Sequence, residues 1–228
     1  MNISVIIPAY QEHKTIAQML KQFENHLSST QILVVDQSEN SLTYDEVKKC
    51  ENIHYVRSKW NSRASTMNHG AQEALGDILL FLHADCILPT WWEWKLAEIN
   101  TDKYQRWWFI RKHTPEIIQT RIADAVWWLL ARRWWYLLGD NAIRVKKDLF
   151  FDSGIYRDES LFEDVHLAER LRKSSPWWMI PDLVLASSRK FIASWARKAF
   201  WLMLGMQILY QGWMSIDRLA RLYKKLRN

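Results

Sequence analysis

The chain has 228 residues, enough for one α/β domain with a large core but short for two independent domains. Hydrophobic residues make up 49% and charged residues 25%, which excludes disordered, collagen-like and disulfide-scaffold proteins. The net charge of +6 is uneven, because residues 189–228 carry nine Lys or Arg and one acid, a sum of +8, so that residues 1–188 sum to −2.

Apolar runs and helical periodicity alternate along the first 90 residues. They predict strands over 3–7, 32–35, 53–56 and 77–82, and helices over 14–23 and 63–75. Such alternation is typical of a mostly parallel sheet with helices on both faces. Ligands of such sheets bind beyond the carboxyl ends of the strands. No glycine-rich loop follows the first strand, which excludes Rossmann dinucleotide and P-loop sites.

The two cysteines and the N-terminus bear on the compartment. Cys50 and Cys86 cannot form a disulfide framework, and we expect reduced residues of a cytosolic protein, Cys50 exposed and Cys86 buried. The N-terminus begins directly as a strand, without the basic region and apolar core of a signal peptide. The expected location is therefore cytoplasmic.

Two groups of acidic residues are candidates for chemistry. Asp85 follows a buried strand, and with His83 it could present oxygen and nitrogen ligands to a divalent cation. Glu163 and Asp164 precede a predicted helix. Each group also has a structural explanation, Asp85 as a helix cap and the Glu163–Asp164 pair as favourable charges at a helix N-terminus. Taken alone, each structural explanation is the stronger one.

Tryptophan is unusually frequent, with 15 Trp against 6 Gly, whereas an average chain of this length has roughly 16 Gly. Adjacent Trp pairs occur at 91–92, 107–108, 127–128, 134–135 and 177–178. Neighbouring residues point to opposite faces of a strand and about 100° apart on a helix. Both members of a pair therefore rarely reach one core.

The C-terminal segment, residues 189–228, contains an uncharged stretch over 199–216. Five basic residues follow it, namely Arg218, Arg221, Lys224, Lys225 and Arg227. Eighteen residues is the lower limit for a membrane span, and Gln207 and Gln211 weaken that interpretation. Two alternatives remain, a basic amphipathic helix in the membrane interface and a helix that packs on the core with a solvated basic face.

Six sequence blocks, taken in chain order, carry a resemblance. They are VIIPAYQEHKTI, ILVVDQSENSLT, SRASTMNHGAQEALGDILLFLHADCILP, LGDNAIRVKKDLF, FEDVHLAERLR and LASSRKF. This order resembles a bacterial family 2 glycosyltransferase with the GT-A fold, the α/β fold of nucleotide-diphospho-sugar transferases. More narrowly, it is similar to a small subgroup with HAD in place of the Asp-x-Asp motif. The resemblance implies a GT-A domain over 1–188 and a basic amphipathic helical tail over 189–228.

The resemblance implies a role for each matching residue. The nucleotide-binding positions are Pro8, Ala9, Tyr10, Glu12, Asp36, Arg63 and Asn68, with Gln11 where the family usually has Asn. Asp85 matches the metal-binding carboxylate, with His83 in place of the first Asp, and the implied cofactor is Mn²⁺ or Mg²⁺. Asp164, with Glu163 beside it, matches the catalytic base. Asp140 matches an acid on the acceptor side and Arg189 a basic residue near the diphosphate.

The implied activity is transfer of a sugar from a UDP- or GDP-linked donor to an acceptor hydroxyl. One base and no carboxylate nucleophile suggest inversion, by analogy with glycoside hydrolysis, and a cation on Asp85 would neutralise the leaving diphosphate. The basic tail suggests a lipid-linked acceptor and peripheral contact with the inner face of the cytoplasmic membrane. No nucleic-acid partner is expected.

Several tryptophans depart from the family pattern. Trp stands at 60, 92, 177, 178, 195 and 213, where such sequences often have Gly or another small residue. These aromatics either stack on sugar rings or lipid acceptors or impair the site. The alternative function is therefore a catalytically degenerate GT-A domain that acts as a membrane-associated binding or scaffold protein. A nucleotidyltransferase is disfavoured, because no phosphate loop follows the first strand.

Overall fold

The computed structural model describes residues 2–26, 29–59, 62–98, 106–134, 142–159, 162–174 and 177–188, and residue pairs between 201 and 222. The strands are β1 (Ile3–Ala9), β2 (Thr30–Asp36), β3 (Ile53–Arg57), β4 (Ile78–Phe81), β5 (Cys86–Ile87), β6 (Arg106–Thr114), β7 (Ile143–Lys146) and β8 (Trp177–Ser187). The helices are α1 (Ile16–Leu20), α2 (Leu42–Val47), α3 (Arg63–Glu73), α4 (Trp92–Glu98), α5 (Ile118–Trp134), α6 (Lys147–Asp152) and α7 (Glu163–Ser174).

The strands form one sheet in the order β3-β2-β1-β4-β7-β6-β8-β5. The pairs β1–β2, β2–β3, β1–β4 and β6–β8 are parallel, whereas β7 runs antiparallel to both of its neighbours and β5 runs antiparallel to β8. The predicted mostly parallel sheet is therefore confirmed.

Apolar clusters cover both faces of the sheet. Successive residues of β1 divide between them, since Ile7 packs in the cluster that contains α1 and Ile6 in the cluster that contains α3 and α7. This two-sided burial explains why the predicted strands read as continuous apolar runs. It also confirms helices on both faces.

Helix α3 lies unusually close to the sheet. A Cβ atom added at Gly70 would lie 2.5 Å from Cγ2 of Ile6 and 2.9 Å from Cγ2 of Val35. Only glycine allows this approach, which holds the first turn of α3, with Arg63, against the carboxyl edge of the sheet.

The element bounds differ from the predictions mainly at the helix ends. Helix α1 begins at Ile16 and continues as a 3-10 turn over Lys21–Phe23, so the regular helix is shorter than the predicted 14–23. Cys86 is fully buried, as predicted. Cys50 is half-buried rather than exposed, because it packs beside Ile53 and Tyr55 against the core.

One tryptophan pair is explained by the fold. Trp92 is buried and meets the Phe23 ring edge to face, with 6.0 Å between ring centroids, whereas Trp91 is half exposed. The large side chain at 92 thus fills the core between α4 and the 3-10 turn. Trp60, Trp195 and Trp213 lie outside the described residues.

Described residues of the C-terminal segment pack on the start of α7. Met206 and Leu219 are buried with Phe162 and Val165, and the Tyr210 ring lies 5.2 Å from that of Phe162. These contacts favour the packing alternative for this part of the segment. Among the described residues, no helix combines the length and the apolar character needed to cross a membrane.

Candidate active site

The carboxyl ends of β1, β2 and β4 bring the predicted nucleotide residues to one edge of the sheet. Ala9 pairs with Asp36, and Asp36 pairs with Arg57 of β3. On the other side of β1, the N–H of Leu82 donates to the carbonyl of Ile6. The loops after these strands therefore share one rim, as expected of a parallel sheet.

Asp36 is fully buried and organises the loop after β2. Its Oδ1 accepts hydrogen bonds from the backbone N–H of Ser38 at 3.0 Å and from the Ser38 hydroxyl at 2.6 Å. Its Oδ2 accepts one from the Tyr55 hydroxyl at 3.0 Å. Asp36 thus fixes the loop after β2 through Ser38 and Tyr55. Its direct contact with a base or ribose stays a prediction.

The loop after β1 is held in a left-handed turn. Gln11 has φ of 54°, and its N–H donates to the Ser38 hydroxyl at 2.7 Å. Asn adopts this conformation more readily than Gln, so the backbone at position 11 would also suit the Asn that the resemblance implies. Glu12 accepts from Thr15 at the start of α1 at 2.8 Å, and Tyr10 points outward, 55% exposed.

An ion pair joins α3 to α7 across 100 residues of sequence. The Arg63 guanidinium donates through Nε to Oε1 of Glu163 at 2.7 Å, and its Nη2 also contacts that oxygen. Arg63 Nη1 lies 3.5 Å from Nε2 of His83. The Glu163 side chain is only 8% exposed, whereas that of Arg63 is 43% exposed. Three predicted site residues therefore meet at one point. They are Arg63 of the nucleotide site, Glu163 beside the predicted base, and His83 of the HAD motif.

Asp164 is buried beside this ion pair. Its Oδ1 accepts a hydrogen bond from the backbone N–H of Val165 at 2.8 Å, and its side chain is 5% exposed. Burial, and then the charges of Asp164 and Glu163, hold the pKa of the neighbouring Tyr156 hydroxyl well above its usual range. Tyr156 therefore stays neutral and adds no negative charge beside Asp164.

Asn68 ties Tyr156 to α3. Its Nδ2 donates to the Tyr156 carbonyl at 2.8 Å, and its Oδ1 accepts from the Tyr156 N–H at 2.9 Å. Both polar atoms of the amide are thus engaged with backbone. Asn68 positions the segment that leads into α7, and its predicted contact with the nucleotide stays a prediction.

Asp85 lines a cavity that the Arg63–Glu163 ion pair does not border. With Thr15, Gln18, Met19, Ala84, Ile87, Thr114, Leu185 and Ser187, it lines a cavity of about 190 Å³ between α1 and strands β5, β6 and β8. Its backbone carbonyl accepts from the Ser187 N–H at 3.0 Å. Asp85 is half-buried and lies in the turn between β4 and β5, directly before Cys86.

The donor set fits a divalent cation only in part. Within the described residues, no group of three or more His, Cys, Asp or Glu side chains is gathered to hold a metal ion. A carboxylate such as that of Asp85 suits Mg²⁺ or Mn²⁺ when phosphates supply the other ligands. His83 Nε2 faces the Arg63 cation instead, so a second ligand there requires Arg63 to move.

Two predicted site residues, Asp140 and Arg189, lie outside the described residues. Sequence reasoning missed Ser38, Tyr55 and Tyr156, which complete the networks around Asp36 and Asn68. Ser38 could have been found, because Asp followed two residues later by a hydrogen-bonding donor is typical of an Asx turn. No local signal marks Tyr55 or Tyr156.

Comparisons with solved structures show the fold. The chain is similar to the mannosyltransferase PcManGT from Pyrobaculum calidifontis, solved with GDP-Man and Mn²⁺. The TM-score is 0.69 at 16% identity, and the match covers 97% of this chain and 69% of PcManGT. S. aureus TarS 1-349, solved with UDP-GlcNAc, gives a TM-score of 0.65 at 15% identity over 83% of this chain and 59% of that chain. Both are GT-A structures.

Comparisons of sequence give the family. A dolichol-phosphate mannosyltransferase of Pyrococcus furiosus is 28% identical over 95 residues, which span 39% of this chain and 27% of that protein. The chain thus covers about a quarter of the curated relative that it matches. The sequence profile of Glycosyl transferase family 2 matches residues 4–160, which is more than half of the chain, and the protein therefore belongs to that family.

Proposed function

We propose that this protein transfers a sugar from a nucleotide-diphospho-sugar to an acceptor hydroxyl, with inversion at the anomeric carbon. The observation that carries the proposal is the Arg63–Glu163 ion pair, which places a buried acid, Asp164, next to an exposed cation at the carboxyl edge of a GT-A sheet. This displacement needs a carboxylate that accepts the proton of the acceptor hydroxyl. It also needs a cation that stabilises the negative charge on the leaving diphosphate.

Asp164 is the proposed base. It takes the proton of the acceptor hydroxyl while that oxygen attacks the anomeric carbon and the bond from this carbon to the diphosphate oxygen breaks. Inversion follows because one carboxylate acts as the base and none forms a glycosyl intermediate. Glu163 has the proposed role of holding Arg63 and keeping the first turn of α7 at the rim.

Arg63 and Asp85 have the proposed role of managing the charge of the leaving diphosphate. Arg63 is close to half exposed, so its guanidinium can reach an incoming phosphate while its Nε keeps the bond to Glu163. Asp85 would hold Mn²⁺ or Mg²⁺, which supplies Lewis-acid stabilisation of the leaving oxygens when bound. Asp140 on the acceptor side and Arg189 near the diphosphate complete the proposed site.

The nucleotide is proposed to lie over the loops after β1 and β2, along Pro8, Ala9, Tyr10, Glu12 and Asp36. Two structural neighbours were solved with UDP-GlcNAc and with GDP-Man, which supports a donor of either kind. The cavity beside Asp85, about 190 Å³, is smaller than ordinary ligand pockets of roughly 300–1,000 Å³, so it would hold only part of the donor.

The acceptor is proposed to be lipid-linked and met at the inner face of the cytoplasmic membrane. The named activity of the Pyrococcus relative and the +8 charge of residues 189–228 support this class. Division into a GT-A domain over 1–188 and a tail over 189–228 belongs to the same proposal, as does peripheral membrane contact by the tail.

A donor panel tests the activity. The full chain is incubated with UDP- and GDP-linked sugars and Mn²⁺, and release of nucleoside diphosphate and of pyrophosphate is measured in parallel. We expect nucleoside diphosphate from one donor class. Pyrophosphate release would instead indicate a nucleotidyltransferase, and nucleotide binding without any release would favour the catalytically degenerate scaffold.

A further inference from the structure

Helix α5 exposes an apolar face to solvent. Ile118, Ile122 and Leu129 are 67%, 40% and 59% exposed, and Ala125 between them is also exposed. These positions follow the spacing i, i+4, i+7 and i+11, so they form one stripe along the helix. Trp128 borders the stripe and is 45% exposed. A surface helix normally directs its apolar stripe toward the core.

Polar contacts on the opposite side fix this orientation. Asp124 accepts hydrogen bonds from the His113 N–H at 2.9 Å and from its ring Nδ1 at 2.6 Å, and lies 3.5 Å from Nε of the buried Arg111. Thr120 and Ala123 are buried on that same inner side. Because Asp124 is bound to β6, the helix cannot turn its apolar stripe inward without breaking this ion pair.

The charges of α5 indicate what the stripe faces. Arg121, on the exposed side, has a side chain that is 72% exposed, and its Nε lies 4.0 Å from Oε2 of the partly exposed Glu116. The acidic residue of the helix, Asp124, is turned inward, and Glu116 just before the helix is paired with Lys112 at 2.6 Å. Two cations, Lys112 and Arg121, therefore surround one acid, Glu116, beside the apolar stripe. This net positive and apolar surface complements an anionic bilayer.

We propose that the outer side of α5 is a membrane-docking surface that lies in the interface of an anionic bilayer. Its apolar stripe enters the acyl boundary, Trp128 lies at headgroup depth, and Arg121 meets lipid phosphates. The helix lies on the bilayer rather than across it. The described residues of the C-terminal segment that are buried pack on the start of α7 rather than on α5. The proposal does not depend on the proposed sugar transfer, because vesicle binding requires no donor.

Vesicle co-sedimentation of the full chain tests the proposal. The vesicles are phosphatidylcholine alone and phosphatidylcholine mixed with phosphatidylglycerol. The test variant is Ile118→Glu with Ile122→Glu, and the matched control is Leu42→Glu with Leu75→Glu, two exposed leucines away from α5. We expect the intact chain to prefer anionic vesicles, with binding weakened about tenfold or more in the α5 variant and less than about twofold in the control. Added salt should weaken binding by the intact chain.

Three outcomes would overturn the proposal: no vesicle binding by the intact chain, equal losses in the two double variants, or loss only when Trp201 and Leu209 of the C-terminal segment are changed to Glu. A dimer that dissociates in the α5 variant, with no vesicle binding, would assign the stripe to a second copy instead.

A second measurement covers the case in which the α5 variant unfolds. Ala125→Cys in a Cys50→Ser background, with Cys86 buried, carries an environment-sensitive dye on the stripe. We expect its emission to shift to the blue with anionic vesicles. An unchanged emission from vesicle-bound protein would contradict the proposal.

Discussion

Helices α5 and α7 are both amphipathic, but different contacts cover their surfaces. Helix α7 buries Val165 and Leu167 and is further covered by Met206 and Leu219 of the C-terminal segment. Helix α5 leaves Ile118, Ile122 and Leu129 uncovered. The difference shows that amphipathicity alone does not indicate which side of a helix meets the core.

The acidic residues decide the orientation in both helices. On α7, Glu163 and Asp164 are buried in the first turn, where Glu163 meets Arg63 of α3. On α5, Asp124 is directed to His113 and Arg111 of β6. In each case a carboxylate has a basic partner on another element. A buried member of such a pair that lost its partner would cost more free energy than the exposure of apolar surface. The α7 carboxylates, Glu163 and Asp164, lie in the candidate active site, whereas Asp124 of α5 holds that helix against β6.

The largest effect is expected on the α7 side of this comparison. Asp164→Asn should lower sugar transfer by about 10²- to 10⁴-fold and leave nucleotide affinity nearly unchanged, because a base acts in the transition state. Turnover and nucleotide titration on the same preparation measure the two quantities. Asp158→Asn, an exposed acid on the preceding loop, is the control and should keep full activity. Near-normal turnover of Asp164→Asn would make Asp164 a structural residue of α7.

Removal of the carboxylate that faces the cavity should affect binding as well. Asp85→Ala is expected to abolish the gain in nucleoside diphosphate affinity that Mn²⁺ or Mg²⁺ provides, because it removes the proposed oxygen ligand. Calorimetric titration with metal and with chelator measures this gain. Asp77→Ala, at the opposite end of β4, is the matched control. Equal affinities of the unmodified protein with metal and with chelator would reject the metal role.

The hydrogen bonds from Asn68 of α3 to the Tyr156 backbone, before α7, should contribute to the free energy of unfolding. Asn68→Ala removes two hydrogen bonds to the Tyr156 backbone and should lower the free energy of unfolding by about 1–3 kcal/mol. Urea unfolding measures the loss. Gln72→Ala, an exposed position one turn later on α3, is the control. No difference between the two variants would show that the segment before α7 is held by other contacts.

The anchor of α5 gives a pH-dependent effect. Burial raises the pKa of the Asp124 carboxyl, but hydrogen bonds from His113 and the charge of Arg111 outweigh it, so the folded pKa lies below the ordinary value. A lowered folded pKa contributes stability above the unfolded pKa, and that stability is lost as pH falls through the folded pKa. Asp124→Asn should therefore cost about 1–2 kcal/mol at neutral pH and less in acid. Urea unfolding along a pH series measures this, and a pH-independent loss would contradict the ion-pair explanation.

The alternation of strands and helices in the first 90 residues could be predicted because it depends on local periodicity. Strand β1 was predicted over 3–7 and spans Ile3–Ala9, and helix α3 begins at Arg63, as predicted. The order of motifs was sufficient to predict the GT-A fold and the family. The same order predicted Asp36, Asp85 and Asp164 as site residues, and the substitutions above test their roles.

Contacts between distant segments were decided only by the tertiary structure. Sequence alone did not indicate that Arg63 pairs with Glu163, that Asn68 binds the Tyr156 backbone, or that Cys50 is half-buried. The outward direction of the α5 stripe belongs to the same class, because it depends on Asp124 meeting His113 on a neighbouring strand. Periodicity reports that a helix has two unlike sides, but the partners on other elements determine which side is buried.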